Sequence, residues 1–378
     1  MACVASCNQQ AVTKTVGADG HAYVHVDEEK CIGCLKCEKV CADAHALAGS
    51  NAPEASRPYA VWANDAAMRA ASTSGGFAAA VSRWFISCGG SVAGVSFDGR
   101  RASHILVSDE DSLQQFQGSK YVWSDASSVY SAIESALPRG KVLFVGTGCQ
   151  VAGVLAYFSG NRFRDNLYTV DLICGGVPSD LLMQTFFDMH PDIDGICSFR
   201  SKDKYELKAS VKGKECVLPS DALPLAGFRG EQTMRYSCYD CPFARAHRAS
   251  DITIGDLWGN AAPSDERRGG VSLAVVHSPK GAELLSSADV TSEALDWKGF
   301  IPDNARLIYG HTPETFLRRN LARNRQKMGG ERFSSVYSLT AKPSNPLGFF
   351  ARVWVYVLRR INLMKRRRAV RRFIDKCG

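Results

Sequence analysis

The chain has 378 residues, fourteen cysteines and a formal net charge of +8 at pH 7. It is long enough for two or three domains and a sizeable core. It shows no secretory signal and no apolar run of the roughly 18–20 residues that a membrane-spanning helix requires. These features argue against a secreted or membrane-spanning protein. They favour a cytoplasmic protein whose cysteines are metal ligands rather than disulfides.

The first fifty residues contain six of the fourteen cysteines. Four of them have the C-x₂-C-x₂-C-x₃-C spacing of a bacterial ferredoxin: Cys31, Cys34, Cys37 and Cys41. A structural zinc site is the alternative, but zinc motifs usually pair two C-x₂-C units across a longer gap. The spacing therefore favours a 4Fe–4S cluster.

A two-cluster ferredoxin needs a second motif of this kind, and only Cys3 and Cys7 match it. Each cluster takes three cysteines from one motif and the fourth from the other. One cluster then has four ligands, Cys7, Cys31, Cys34 and Cys37. Cys3 and Cys41 would be left as two ligands where four are needed. The sequence predicts one cluster in this module, and a start codon assigned too late is the alternative, because Met1 lies where the missing cysteines should be.

Two polar, glycine-containing turns are candidates for binding a cofactor. Residues 49–65, rich in Ala, Pro, Ser and Asn, predict a linker. The turn Ser74-Gly75-Gly76 follows it and leads into a predicted helix from Phe77 to about Ile86. Free backbone N–H groups at a helix N-terminus bind anions such as phosphate, although an ordinary helix cap explains this turn equally well.

The second turn is Gly118-Ser119-Lys120-Tyr121, which combines a lysine with an aromatic ring. Such residues would suit a phosphate and a flat ring system. A solvated turn is an equally good interpretation of this segment.

The stretch from Lys141 to Ser179 predicts two consecutive strand–turn–helix units. An apolar strand, Val142–Val145, leads through Gly146-Thr147-Gly148-Cys149 into a helix that begins near Gln150. A second strand, Leu167–Ile173, leads through Cys174-Gly175-Gly176 into a helix capped by Ser179.

Consecutive units of this kind form parallel strands, and ligands bind beyond the carboxyl ends of such strands. Gly146, Thr147 and Gly148 are therefore candidate cofactor-binding residues. Cys149 and Cys174 are candidates to face each other across the same crevice.

Cys238 and Cys241 form an isolated C-x₂-C pair. Alone, such a pair is compatible with zinc binding, redox chemistry or a cluster. Together with Cys149 and Cys174 it predicts a site of four thiolates. Asp256, at the end of a predicted buried strand, either lies near the crevice or caps a turn.

Two further segments complete the pattern. The charged, β-prone stretch Tyr205–Val217 predicts an antiparallel hairpin. After Gly348, apolar residues recur at helical spacing, and residues 345–378 hold ten Lys or Arg against one Asp. The tail thus carries a net charge of +9, and the rest of the chain is nearly neutral.

This composition is typical of a helix that lies on an anionic membrane surface. A helix docked on a partner or folded back on the body is the alternative. Nucleic acid is disfavoured, because the body shows no basic stripe.

Seven ordered segments resemble the beta-subunit family of coenzyme F420-reducing hydrogenases and formate dehydrogenases, and the resemblance spans residues 1–275. The segments are Ser74–Gly76, Gly118–Tyr121, Gly146–Gly153, Asp171–Ser179, Phe199–Lys202, Ser237–Cys241 and Asp251–Gly259. The resemblance implies an iron–sulfur flavoprotein that binds FAD and transfers electrons to a deazaflavin or another acceptor. It also implies that four cysteines hold a 4Fe–4S cluster beside the flavin: Cys149, Cys174, Cys238 and Cys241.

The sequence departs from the family pattern at two positions. Gly148 and Gly175 stand where the family usually has proline and histidine. The glycine at 175 removes a polar group, which puts the deazaflavin reaction in question. The basic tail resembles that of stand-alone bacterial members that accompany cell-surface polysaccharide synthesis.

The predicted fold is α/β (α+β), with four regions. These are a ferredoxin-like 4Fe–4S module (1–48), a linker (49–65), a flavin- and cluster-binding domain with a mixed or parallel sheet (66–310), and a helical region with a basic amphipathic tail (311–378).

The predicted function is an oxidoreductase that passes electrons through 4Fe–4S clusters and FAD to a small-molecule or protein partner. A non-catalytic electron-transfer subunit is the alternative. The expected location is the cytoplasm, with peripheral contact at the inner face of the cell membrane.

Overall fold

The computed structural model describes residues 1–43, 55–202, 204–310, 313–339 and 346–377. The strands are β1 (Val12–Val16), β2 (Ala22–Val26), β3 (Arg57–Ala63), β4 (Ser91–Phe97), β5 (Ala102–Val107), β6 (Ser124–Asp125), β7 (Val142–Thr147), β8 (Leu167–Leu172), β9 (Ile193–Ser198), β10 (Lys208–Val211), β11 (Lys214–Val217), β12 (Ile252–Asp256), β13 (Ser272–Val276) and β14 (Val290–Ala294).

The helices are α1 (Ala2–Ser6), α2 (Lys36–Lys39), α3 (Ala66–Ala71), α4 (Phe77–Ser87), α5 (Val129–Ala136), α6 (Gly148–Tyr157), α7 (Leu181–Met189), α8 (Leu223–Gly230), α9 (Tyr236–Tyr239), α10 (Pro279–Ser287), α11 (Trp297–Phe300), α12 (Phe316–Arg319), α13 (Leu321–Lys327), α14 (Gly330–Tyr337) and α15 (Pro346–Cys377).

In the described part of the chain, nine strands form one mixed sheet in the order β14-β3-β13-β12-β8-β7-β4-β5-β6. The four middle strands β12, β8, β7 and β4 are parallel to one another. Strands β13, β3 and β14 extend the sheet on one side in antiparallel fashion. The two strand–turn–helix units predicted around β7 and β8 are therefore confirmed as adjacent and parallel.

Strand β7 is apolar throughout because helices cover both faces of the sheet. Val142 and Phe144 belong to the core under α5 and α6, whereas Leu143 belongs to the core under α4 and α10. Helix α6 begins at Gly148, two residues before the predicted start. The Thr147 N–H donates to the Gln150 side-chain oxygen at 2.9 Å, which moves the cap of the helix towards the strand.

The linker prediction for residues 49–65 is wrong from Arg57 onwards. Residues 57–63 form β3, which pairs with both β13 and β14, and Ala60 and Val61 are fully buried. The flanking Pro, Ser and Asn residues made a short β-prone segment look like part of a linker. The strands that pair with this segment lie more than 200 residues further along the chain. Residues 49–54 lie outside the described residues, and the other domain boundaries stay predictions.

A second core lies around a smaller sheet in which β10 pairs with both β9 and β11. Helices α7, α8, α12 and α14 contribute apolar side chains to it. The hairpin predicted within 205–217 is present as β10 and β11.

The hairpin β1–β2 docks on the body through a buried ion pair. The Arg318 guanidinium donates to the Asp19 carboxylate at 2.8 Å and to the Met234 carbonyl at 2.5 Å. The Ser179 hydroxyl donates to the Asp19 carbonyl at 2.6 Å. Ser179 therefore fixes the hairpin, and Asp180 is the N-cap of α7 in its place.

The tail helix α15 folds back on the body with one face. Ala351 and Val355 are buried, with Ala351 in the second core, and Val370 packs beside Trp297 and Phe300. Among the described residues, no helix is both long and apolar enough to span a bilayer.

We expect Arg318→Met to lower the free energy of unfolding by about 3–5 kcal/mol, because it leaves the buried carboxylate of Asp19 without its cation. The Arg318 side chain is 1% exposed. Arg319→Met is the matched control, since the Arg319 side chain is 69% exposed beside Glu314 and such pairs contribute at most about 1 kcal/mol. Denaturant titration of both variants measures the difference. Equal losses would contradict the structural role of the buried pair.

Candidate functional site

A cavity of about 840 Å³ opens at the carboxyl ends of β7, β8 and β12. Its wall includes eight of the residues singled out in the sequence: Ser74, Gly76, Gly118, Ser119, Lys120, Tyr121, Gly146 and Thr147. The two turns predicted to bind a cofactor thus meet the two strand–turn–helix units at one place.

Two of the predicted cofactor-binding residues do not line this cavity. The Gly75 N–H donates to the Ser272 hydroxyl at 3.0 Å, and a Cβ at this position would lie 2.4 Å from the Val61 carbonyl oxygen. Gly148 is buried, and a Cβ there would lie 3.2 Å from the Asp171 carboxylate. Both glycines allow close packing behind the wall.

The N-terminus of α4 forms one side of the cavity. Gly76 caps this eleven-residue helix with φ of 86°, a conformation that favours glycine. The first N–H groups of a helix have no acceptor within it and attract anions. The Thr73 and Ser119 hydroxyls lie 3.2 Å apart, so the two polar turns form one continuous surface.

Lys120 supplies a positive charge to this surface. Its ammonium group donates to the carbonyl oxygens of Phe116 and Gln117 at 2.7 and 2.8 Å. Burial lowers the pKa of Lys120 to about 8. A bound anion would stabilise the charged form and raise this pKa again.

Aromatic rings form another part of the wall. Tyr121 stacks on Phe228 with ring centroids 4.2 Å apart and an angle of 12°. Burial raises the pKa of Tyr121 to about 12, so its phenol is neutral at physiological pH. Arg200 donates to the Asp256 carboxylate at 2.6 Å, which places Asp256 at the cavity as one of the two sequence interpretations expected.

Four cysteines lie together at the edge of the cavity. Cys149 is the second residue of α6, Cys174 follows β8, Cys238 lies in α9 and Cys241 follows α9. Burial raises the pKa of Cys174 to about 11 and that of Cys238 to about 12, and in each case Cys149 and Cys241 contribute in the same direction. Because only nearby charges act in this way, the four cysteines share one region of the structure. Cys174 also lines the cavity.

A hydrogen bond and a nearby cation stabilise the negative charge of a thiolate at Cys174 and so oppose the effect of burial on its pKa. The Gly176 N–H donates to the Cys174 sulfur at 3.3 Å. The Arg306 guanidinium donates to the Gly175 carbonyl at 3.3 Å and forms an ion pair with Glu231. Its charge favours the thiolate of Cys174. Arg306 lies beside the position where the family histidine is replaced by glycine.

Sequence reasoning missed Arg306 and Phe228 as residues of the site. Each lies more than fifty residues from the motif that it contacts, and neither belongs to a recognisable pattern. Only the fold brings them to the cavity edge.

In the described ranges, no three His, Cys, Asp or Glu side chains lie close enough together to hold a single metal ion. The chemistry of the donors is informative by itself. Four thiols without a carboxylate or imidazole among them are the ligands that zinc and iron–sulfur clusters select.

The N-terminal cysteines differ in their exposure and in the groups that surround their sulfur atoms. Slight burial raises the pKa of Cys7, but backbone N–H groups from residues 9–12 outweigh it, so the net pKa is lowered. Cys31 and Cys34 are exposed. Burial raises the pKa of Cys3, and Cys41 adds to this effect, so these two thiols are neighbours.

Tyr130 connects the N-terminal module to the four-cysteine site. Burial raises the pKa of its phenol, and both Cys149 and Cys3 contribute. A Cβ at Gly153 of α6 would lie 3.1 Å from the Tyr130 hydroxyl and 3.7 Å from Ala2. The Cys3 end of the module therefore docks against α6, the helix whose first turn contains Cys149.

Two family models match parts of the chain. Residues 23–47 match a 4Fe-4S binding domain, so the chain is an iron–sulfur electron-transfer protein. Residues 139–298 match the C terminus of the coenzyme F420 hydrogenase/dehydrogenase beta subunit. This part of the chain therefore carries the C-terminal domain of that beta-subunit family. The family resemblance and the mixed α/β fold class are confirmed.

Among solved structures, the chain is similar to a chain of the xenon-derivatised F420-reducing [NiFe] hydrogenase complex from Methanosarcina barkeri. The TM-score is 0.45 and the sequence identity is 16%, and the match covers 75% of the present chain and 91% of the hydrogenase chain. No curated protein sequence matches the chain.

Proposed function

We propose that the chain is an iron–sulfur flavoprotein oxidoreductase with two 4Fe–4S clusters and FAD. The observation that carries this proposal is that one exposed thiol, Cys149, and three partly buried thiols lie at the edge of a cavity of about 840 Å³ at one edge of the sheet. With these groups bound, the clusters would carry single electrons and the flavin would exchange them with an F420-type or other acceptor.

The cavity suits a dinucleotide such as FAD. Its volume lies within the range of roughly 300–1,000 Å³ that ligand pockets occupy. The N-terminus of α4 and the ammonium group of Lys120 would hold the diphosphate. The stacked pair Tyr121 and Phe228 offers a flat apolar surface to a ring system.

Cys149, Cys174, Cys238 and Cys241 would hold the cluster beside this cavity. Burial raises the pKa of Cys174, Cys238 and Cys241, so a strongly cationic group would favour their conversion to thiolates. The Gly176 N–H and the Arg306 guanidinium already favour the charged form of Cys174.

The N-terminal module would hold the other cluster through Cys7, Cys31, Cys34 and Cys37. Exposed Cys31 and Cys34 place it where an external donor or acceptor can approach. The proposal assigns the reaction to the cytoplasm, where thiols are kept reduced. The redox partner is a small molecule or a protein.

The first test is the iron content. We expect about eight iron atoms per chain, because two complete sets of four cysteines are present. Cys149→Ala or Cys241→Ala should lose about four irons and retain FAD less well, since the cluster forms one cooperative unit with the fold. Cys7→Ala should also lose about four irons.

Cys197→Ala is the matched control, because Cys197 is exposed on β9 and should keep all the iron. Unchanged iron in both Cys149→Ala and Cys241→Ala would contradict the site. About twelve irons in the unaltered chain would contradict a single N-terminal cluster.

The second test concerns the pH dependence of FAD binding. The pKa of Lys120 is about 8 in the free protein, and the diphosphate should raise it. Binding therefore takes up a proton above pH 8, and FAD affinity should fall as the pH rises from 7 to 9 by up to about tenfold per pH unit.

Lys120→Met should bind FAD about 10- to 100-fold more weakly at pH 7, since it loses a charge-assisted hydrogen bond, and should show no such decline with pH. Lys298→Met, at an exposed position of α11, is the control and should behave as the unaltered protein. Fluorescence titration of FAD measures both effects, and a parallel pH profile in Lys120→Met would contradict the role of this residue.

A third test separates the enzyme from its rival, a non-catalytic electron-transfer subunit. The purified protein is reduced anaerobically with a reduced ferredoxin or dithionite, and reoxidation of the flavin is followed by absorbance. Rapid reoxidation by a small organic acceptor supports the enzyme. Reoxidation by a partner protein alone would identify the chain as a subunit that passes electrons onward.

A further inference from the structure

The tail helix α15 presents two distinct faces. Its inner face packs on the body through Ala351, Val355 and Val370. The Arg359 guanidinium also donates to the carbonyl oxygens of Arg229 and Gly230 at 2.8 and 3.1 Å. The helix is therefore held in place, and its outer face has a fixed orientation relative to the body.

The outer face carries an apolar stripe. Successive residues of a helix turn by about 100°, which places five apolar side chains on the side opposite Ala351 and Val355: Phe350, Val353, Val357, Ile361 and Met364. Each is between 40 and 65% exposed. The stripe is about 21 Å long. Large apolar side chains in one exposed row are unusual for a surface that faces only water.

Two amphipathic aromatic residues flank the stripe. The same geometry puts Trp354 on one side of it and Tyr356 on the other, and both are exposed. Side chains of this kind prefer the boundary between hydrocarbon and polar headgroups.

A basic segment continues the outer face beyond the stripe. Five exposed cations follow within two turns: Lys365, Arg367, Arg368, Arg371 and Arg372. In the described part of the chain, none of them takes part in a salt bridge. They spread over about half of the helix circumference rather than along one line.

We propose that this outer face binds an anionic lipid membrane, with α15 lying in the plane of the surface. The apolar stripe would enter the boundary between headgroups and acyl chains, and the cations would contact the anionic headgroups. A second copy of the chain would bring two such cationic segments together, which charge repulsion opposes. Cations spread over half of a helix suit an extended anionic plane better than the localised acids of one protein groove.

The test uses the full chain, because removal of α15 would also uncover the cores that Ala351 and Val370 cover. Sedimentation with vesicles of phosphatidylcholine alone, or with 30% phosphatidylserine (on the order of a plasma-membrane inner leaflet), measures binding. One variant combines Val353→Ser, Val357→Ser and Ile361→Ser. Another combines Arg367→Gln, Arg368→Gln, Arg371→Gln and Arg372→Gln.

Val217→Ser is the control, because Val217 is an equally exposed valine on β11. We expect binding to the anionic vesicles alone, at least 100-fold weaker in the arginine variant, since each basic residue near the surface contributes about fivefold. The serine variant should lose binding, and Val217→Ser should keep it. All variants should retain their iron, as the altered side chains are exposed.

Three results would overturn the proposal. One is equal binding to both kinds of vesicle, or binding to neither. Another is a dimer of the unaltered chain that the serine variant dissociates. The last is binding to soluble polyglutamate without binding to anionic vesicles, which would indicate an acidic protein partner.

Discussion

The structure depends on one electrostatic constraint, which is the cost of placing the thiols of Cys174, Cys238 and Cys241 beside one another where burial disfavours their negative charge. The parallel register of β7, β8 and β12 contributes the geometric part of this arrangement, because it ends three strands at one edge of the sheet. Burial raises the pKa of Cys174 and Cys238 far above that of a free thiol. The fold therefore creates a site in which a bound cationic group would favour the thiolates of these two cysteines.

The N-terminal module is held against the body by a buried ion pair and by a buried tyrosine. At one end, the ion pair of Arg318 and Asp19 fixes its hairpin. At the other end, the Tyr130 phenol lies near both Cys3 and Cys149, and each of these cysteines raises its pKa. Two contacts far apart in sequence thus hold the module in one orientation. The cysteines of the module therefore keep a fixed position relative to Cys149.

Much of the site could be predicted from the sequence, because its turns are local patterns. Parallel β7 and β8, the glycine turns after them and the helix that follows Gly76 all follow from short segments. Strand β3 could not be predicted, since its partner strands lie far away in the chain. The Pro, Ser and Asn residues that precede it also make the whole segment look like a linker. Arg306 and Phe228 were missed for the same reason, and Gly75 and Gly148 proved to serve packing behind the cavity wall.

The tail helix also carries Arg366, whose half-buried guanidinium has its pKa lowered by burial and by the nearby Arg306, while Glu231 opposes the shift. Glu231 therefore balances two cations, one on α15 and one beside Cys174. A displacement of α15 would change the charge around Arg306, the cation that favours the Cys174 thiolate. By thermodynamic linkage, docking of the tail and ionisation of Cys174 would then be coupled by one free energy that acts in both directions.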